Sequence, residues 1–178
     1  WGSAIWGYIN NMSINNCRFI NCSAKFEGGA INLVGKVLTI TNSTFINNTA
    51  DENGGSLIVM GIKTVIKDCI FINSHSGMEG CFIYLHASSR LNLTDSILLT
   101  NSTSKYISKP EGESLRWNIS ANIENNWFGG TNDDILKNYD RINDFKVKSL
   151  LYLNVAPSLY DIPMGNTSKI SLKFYSYD

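Results

Sequence analysis

Apolar and polar positions alternate along this chain in short runs, each broken by asparagine, serine or glycine. Leu38 and Ile40 flank Thr39, and Leu57 and Val59 flank Ile58. Period-two alternation is strand patterning, because successive side chains of a strand point to opposite faces. No stretch shows the i, i+3, i+4 spacing of an amphipathic helix. The pattern predicts many short strands joined by tight turns.

The runs also recur. Ile14, Ile40, Ile66 and Leu93 form one column at spacings of 26, 26 and 27 residues. Phe19, Phe45, Phe71 and Leu98 stand five residues further on, with Asn21, Asn47 and Asn73 beyond the first three. A second set keeps the same register: Ala4/Ala30/Ser56/Phe82, Ile5/Ile31/Leu57/Ile83 and Gly7/Leu33/Val59/Leu85. Paired glycines, Gly28-Gly29 and Gly54-Gly55, separate the two sets. A unit of two or three short strands cannot bury its own apolar side, so the copies must stack. Stacking at strand spacing, about 4.8 Å, turns each column into a continuous ladder. The expected fold is all-β: a right-handed parallel β-helix with coils of about 26 residues over residues 1–130, its core a tube of aliphatic and aromatic ladders.

The last coil can be followed through Ile119, Ile123 and Phe128. Aligning Gly112 to Leu115 with Gly80 to Ile83 predicts an insertion bulging out at residues 102–111. After NNWFGG the polar stretch 131–145 reads as a linker. Residues 146–178 then hold two alternating runs, VKSLLYLNVAP and NTSKISLKFYSYD, expected to open a separate, truncated Ig-like β-sandwich.

Composition narrows the function. The net charge is zero and only 17% of residues are charged, so no basic field favours nucleic acid or an anionic membrane. No apolar run is long enough for a membrane-spanning helix. The chain opens inside a repeat at Trp1-Gly2-Ser3-Ala4-Ile5, so a missing signal segment reads as cropping. Sequons at Asn11, Asn21, Asn42, Asn47, Asn92, Asn101, Asn118 and Asn166 suit an extracellular glycoprotein. The cysteines, Cys17, Cys22, Cys69 and Cys81, lack metal-site spacing. Cys17 and Cys69 share a column two coils apart, beyond disulfide reach, and are expected as thiols.

GGAI at Gly28 to Ile31 and FINN at Phe45 to Asn48 resemble the GGA(I/L) and FxxN repeats of polymorphic outer-membrane proteins. The other units read GGSL, FINC and FINS. The whole chain more closely resembles the adhesin-like cell-surface proteins of methanogenic archaea, in which Asn-rich coils close with an NNWWG-like segment and continue into Ig-like repeats. NNWFG stands here at Asn125 to Gly129. That resemblance implies a pectate-lyase-like solenoid on an exported surface protein with an adhesive role. It supplies no catalytic residues and no cofactor.

Three candidate sites emerge. Asn21, Asn47 and Asn73 read as a structural ladder bracing a bend. The column Asn16/Asn42/Asp68/Asp95 places two carboxylates on adjacent coils, where they could hold a cation such as Ca²⁺ or serve acid–base chemistry on a polysaccharide. No third acid or basic constellation accompanies them, and a solvated turn is preferred. His75 reads as a turn residue. If Ile5/Ile31/Leu57/Ile83 point inward, alternation turns Trp6/Asn32/Ile58/Tyr84 outward, with Tyr8/Val34/Met60/His86 beside them. Trp6, Tyr8, Ile58, Met60, Tyr84 and His86 then form an apolar contact face for glycans or proteins of a neighbouring cell, or for self-packing. The preferred function is a non-catalytic, adhesin-like stalk or binding module. The alternatives are a polysaccharide-active lyase- or hydrolase-type enzyme and a purely structural spacer.

Overall fold

The computed structural model describes residues 2–111, 118–129, 145, 147–157 and 170–177. Among them there are strands, bends and turns but no helix. The first coil holds β1 (Ile5–Asn15), β2 (Arg18–Ile20) and β3 (Ser23–Ala24). The second repeats it as β4 (Ile31–Thr41), β5 (Thr44–Ile46) and β6 (Thr49–Ala50). The third has β7 (Leu57–Met60), β8 (Lys63–Lys67), β9 (Ile70–Ile72) and β10 (His75–Ser76). The fourth has β11 (Ile83–His86), β12 (Arg90–Thr94) and β13 (Ile97–Leu99). After it come β14 (Ile107–Ser108), β15 (Ser120–Glu124), β16 (Asn126–Trp127), β17 (Leu150–Pro157) and β18 (Ile170–Tyr177).

Corresponding strands of successive coils pair in parallel and in the register the repeat dictates. Ile5 faces Ile31, Ile31 faces Leu57 and Leu57 faces Ile83, while Phe19 faces Phe45 and Phe45 faces Phe71. The result is a β-solenoid of about four turns with three sheets. One runs β14-β11-β7-β4-β8-β12-β15 with β1 on β4, a second runs β10-β6-β3, and the third runs β18-β17-β16-β13-β9-β5-β2. The predicted inward columns are the core: Ile14, Ile40, Ile66, Leu93 and Ile123 are all buried, as are Phe19, Phe45, Phe71 and Leu98. The phenylalanine rings stack nearly parallel, with centroids 4.8 and 4.6 Å apart, so strand spacing sets ring spacing.

Left-handed backbone makes the corners. Asn16, Asn42, Asp68, Asp95 and Asn125 turn the chain out of the first sheet with φ of 49 to 55°. Asn21, Asn47 and Asn73 repeat the manoeuvre immediately after the third-sheet strand with φ of 51 to 56°. Asparagine and aspartate are the non-glycine residues that tolerate this region best. The third corner needs glycine: Gly28, Gly54 and Gly80 have φ of 65 to 67°, and a Cβ on Gly55 would lie 2.4 Å from the carbonyl oxygens of His75 and Cys81.

One expectation changes. Ile107 pairs with Ile83 and Ser108 with Tyr84, so the buried Tyr106-Ile107-Ser108 segment continues the core, and Gly112 to Leu115 lie outside the described residues. Residues 102–108 are thus part of the coil, and the extra length falls between Ser108 and Ser120, the partner of Arg90. Burial of the Tyr106 ring against Phe82 and Phe128, at 5.6 and 5.3 Å, fixes that choice. The run at residues 146–178 supplies two described strands. β17 pairs in parallel with β16, placing Leu150 beside Asn126, and pairs antiparallel with β18. These strands therefore extend the third sheet of the solenoid. The linker 131–144 lies outside the described residues, and Phe145 is buried in the core.

Candidate functional site

The outward column on the first sheet is in register as expected, Trp6 beside Asn32, Ile58, Tyr84 and then Ser108. Its exposure is not. Trp6 and Tyr8 are 57% and 83% exposed, whereas Ile58 is fully buried and Tyr84 nearly so. The continuous apolar face predicted from alternation is therefore broken at Ile58 and Tyr84. At Ile58 the cause is the glycine turn that leads into β4 and folds back over the column. A Cβ on Gly28 would stand 2.8 Å from Ile58 Cγ2, so the turn backbone itself is the lid on that side chain. Met60 and His86 are half-buried, and the His86 ring stacks on Tyr84 at 6.3 Å.

The residue before each of those glycines builds a polar wall that the sequence reading missed. Asn53 Nδ2 donates to Glu27 Oε1 at 3.4 Å, Glu79 N–H donates to Asn53 Oδ1 at 3.2 Å, and Ser108 Oγ donates to Glu79 Oε2 at 3.0 Å. The signal was present as E-G-G, N-G-G and E-G-C in equivalent places. Where this wall meets the exposed first coil, a cavity of about 190 Å³ opens, lined by Trp6, Tyr8, Glu27, Asn32, Val34 and Met60.

A second apolar surface was also missed. On the third sheet, alternation about the buried phenylalanines sends Ile20, Ile46, Ile72 and Leu99 outward as one ladder. Ile70, Ile97 and Trp127 form another beside it. Ile20 and Ile70 are exposed and the others half-buried. The isoleucine after each repeat phenylalanine carried that information.

The two asparagine-type columns act through backbone and neighbours. The amides of Asn21, Asn47 and Asn73 donate to Ile46, Ile72 and Leu99 carbonyls in the next coil, and among the described residues their side chains make no ladder of hydrogen bonds. Bracing falls to the next residue. Buried Asn48 accepts from Cys22 N–H at 2.9 Å and donates to the Phe19 carbonyl at 3.1 Å. At the other corner, Ser43 and Ser96 accept from the amides of Cys17 and Cys69 and donate to the carbonyls of Thr41 and Thr94, and Asn126 repeats the device.

Lys67 Nζ lies between the two acids, 4.0 Å from Asp68 and 3.8 Å from Asp95, with all three side chains about half exposed. The ammonium thus takes the place proposed for a cation, and the corner geometry accounts for both acids. Among the described residues no three His, Cys, Asp or Glu side chains converge as a metal site. His75 is an exposed strand residue beside Thr49. None of the four cysteines is joined in a disulfide; Cys17 is exposed while Cys69 and Cys81 are buried. Burial pushes the Cys69 and Cys22 thiols up from the ordinary range, partly offset by backbone hydrogen bonds. Of the sequon asparagines, Asn11, Asn21, Asn42, Asn47, Asn101 and Asn118 are exposed. Asn92 is half-buried and accepts from Asn122 at 2.7 Å, and Asn166 lies outside the described residues.

Repeated coils with parallel ladders on each sheet define a parallel β-helix solenoid protein. No protein-family profile, curated protein or solved structure matches the chain.

Proposed function

We propose that the chain is a non-catalytic module of an extracellular, adhesin-like surface protein, whose β-solenoid presents repeated side chains to glycans or proteins of another cell surface. The observation that carries this reading is the outward-facing apolar and aromatic surface: exposed Trp6 and Tyr8 at the first coil, and the aliphatic ladder of exposed Ile20 with half-buried Ile46, Ile72 and Leu99. Ladders of this kind on a rigid scaffold are contact surfaces. Exposed sequons at both corners favour an exported glycoprotein. On the same reading the solenoid winds right-handed, the favoured hand for crossovers between parallel strands, and β17 with β18 begins an Ig-like unit.

The test is retention of cells on a surface coated with the chain, comparing intact cells with cells stripped of surface protein or surface glycan. Retention lost on one of those treatments supports the proposal and identifies the partner class. Equal retention on coated and blank surfaces overturns it.

A further inference from the structure

The most chemically defined feature outside the core is the cavity at the first coil. Its base is Asn32, the one amide in a column that also holds Trp6, Ile58, Tyr84 and Ser108. Asn32 is 3% exposed, and its Nδ2 donates to the Glu27 carbonyl oxygen at 3.3 Å. Its Oδ1 accepts no hydrogen bond among the described residues. That oxygen is not sealed off with the buried, unpartnered polar atoms; it opens to the outside of the sheet, where a ligand hydroxyl or water can reach it. Beside it stands Glu27, whose Oε1 is engaged by Asn53 while the carboxylate still lines the cavity.

The apolar part is equally specific. Trp6 and Tyr8 leave the same side of β1 at positions i and i+2, about 7 Å apart along the strand. Two exposed rings from one strand line one side of an open cavity. They do not enclose a sphere, as an aromatic cage for a quaternary ammonium does. An ammonium of that type also brings no donor for Asn32 Oδ1. A sugar ring matches both halves: its C–H face packs on aromatic faces, and its hydroxyls donate to an amide oxygen and a carboxylate. The volume, about 190 Å³, is below that of pockets for drug-sized molecules, roughly 300–1,000 Å³, and suits one ring of a longer chain.

We propose that this cavity is a subsite for a single pyranose unit of a neutral polysaccharide, with Trp6 and Tyr8 as the stacking surface and Asn32 and Glu27 as acceptors for its hydroxyls. This deepens the surface-contact function proposed above and rests on it. Val34 and Met60 close the apolar floor. Specificity for neutral sugars follows from Glu27, which repels a uronic acid.

The experiment is a titration of the isotope-labelled full chain with methyl glucoside, methyl galactoside, methyl mannoside and neutral tetrasaccharides, read by NMR. The expected result is saturable shifts at the Trp6 indole N–H and the Asn32 side-chain amide. Affinity should fall at least tenfold in Asn32→Leu, which matches its aliphatic column neighbour, and in Tyr8→Ser, whose side chain packs too little to affect folding. Saturation by none of these sugars, shifts confined to other residues, or tighter binding of tetramethylammonium overturns the subsite. Cell retention that survives Asn32→Leu and Tyr8→Ser overturns the subsite but leaves the contact function standing. Sugar binding without any cell retention overturns the contact function alone.

Discussion

At the residue scale, each corner divides its work between two neighbours, one accepting the left-handed backbone and the next satisfying buried polar groups. Asn47 sits at φ 53°, so Asn47→Val should lower stability by about 1–2 kcal/mol, whereas Asn47→Gly should change it little. Urea unfolding distinguishes them. Asn48→Ala should cost about 2 kcal/mol because it leaves the Cys22 N–H and the Phe19 carbonyl without their partner. Thr64 is the reverse case. Its buried Oγ1 has no hydrogen-bond partner among the described residues, and its column neighbours are Leu38 and Leu91. Thr64→Val should therefore raise stability by about 1 kcal/mol in the same measurement. The thiols give a pH prediction. Cys69 is held protonated by burial, so above about pH 9 the unfolded chain loses its proton first. Cys69 should then contribute stability below that pH and lose it as pH rises, a dependence absent in Cys69→Ala. The sequence showed that Asn47 stood at a bend but did not show the division of labour, since Asn47 and Asn48 are the same residue type and only the fold turns one outward and the other inward.

At the element scale, the strands and their register were legible because one constraint fixes both: an aliphatic column that slips by one residue faces solvent. Phe45 and Ile40 could be placed inside from their spacing alone. Ile58 could not. Alternation correctly sent it away from the tube interior, but the glycine turn of the adjacent coil closes over it, and backbone covering leaves no periodic trace. The insertion was misplaced for a related reason, because Gly112 to Leu115 imitates Gly80 to Ile83 in letters while burial selects Tyr106 and Ile107. The glycine turn is accordingly the element most sensitive to a single methyl group. Gly55 has carbonyl oxygens of two different segments within 2.4 Å of any added Cβ, and both belong to backbone that cannot swing aside. Gly55→Ala should lower the thermal midpoint by several degrees and loosen the strand that follows the turn, read as faster hydrogen exchange in β7 than in β9.

At the scale of the whole molecule, a solenoid is held by nearest-neighbour interfaces, so position along the stack decides what a core residue contributes. Phe45 lies between two parallel rings, Phe19 at 4.8 Å and Phe71 at 4.6 Å, and is fully buried. Among the described residues Phe19 stacks on the Phe45 ring alone, and it retains some exposure. Phe45→Ala opens a cavity between coils on both sides and should cost about 3–5 kcal/mol. Phe19→Ala removes one ring contact at the end of the ladder and should cost roughly half as much. The distribution of the damage matters more than its size. In a stack with nearest-neighbour coupling, Phe19→Ala should speed hydrogen exchange in β1 and β2 while β9 and β13 keep their protection. Phe45→Ala should release the coils on either side together. Equal loss of protection throughout the chain in both variants would mean that the coils fold as one indivisible unit, and the nearest-neighbour account of this solenoid would then be wrong.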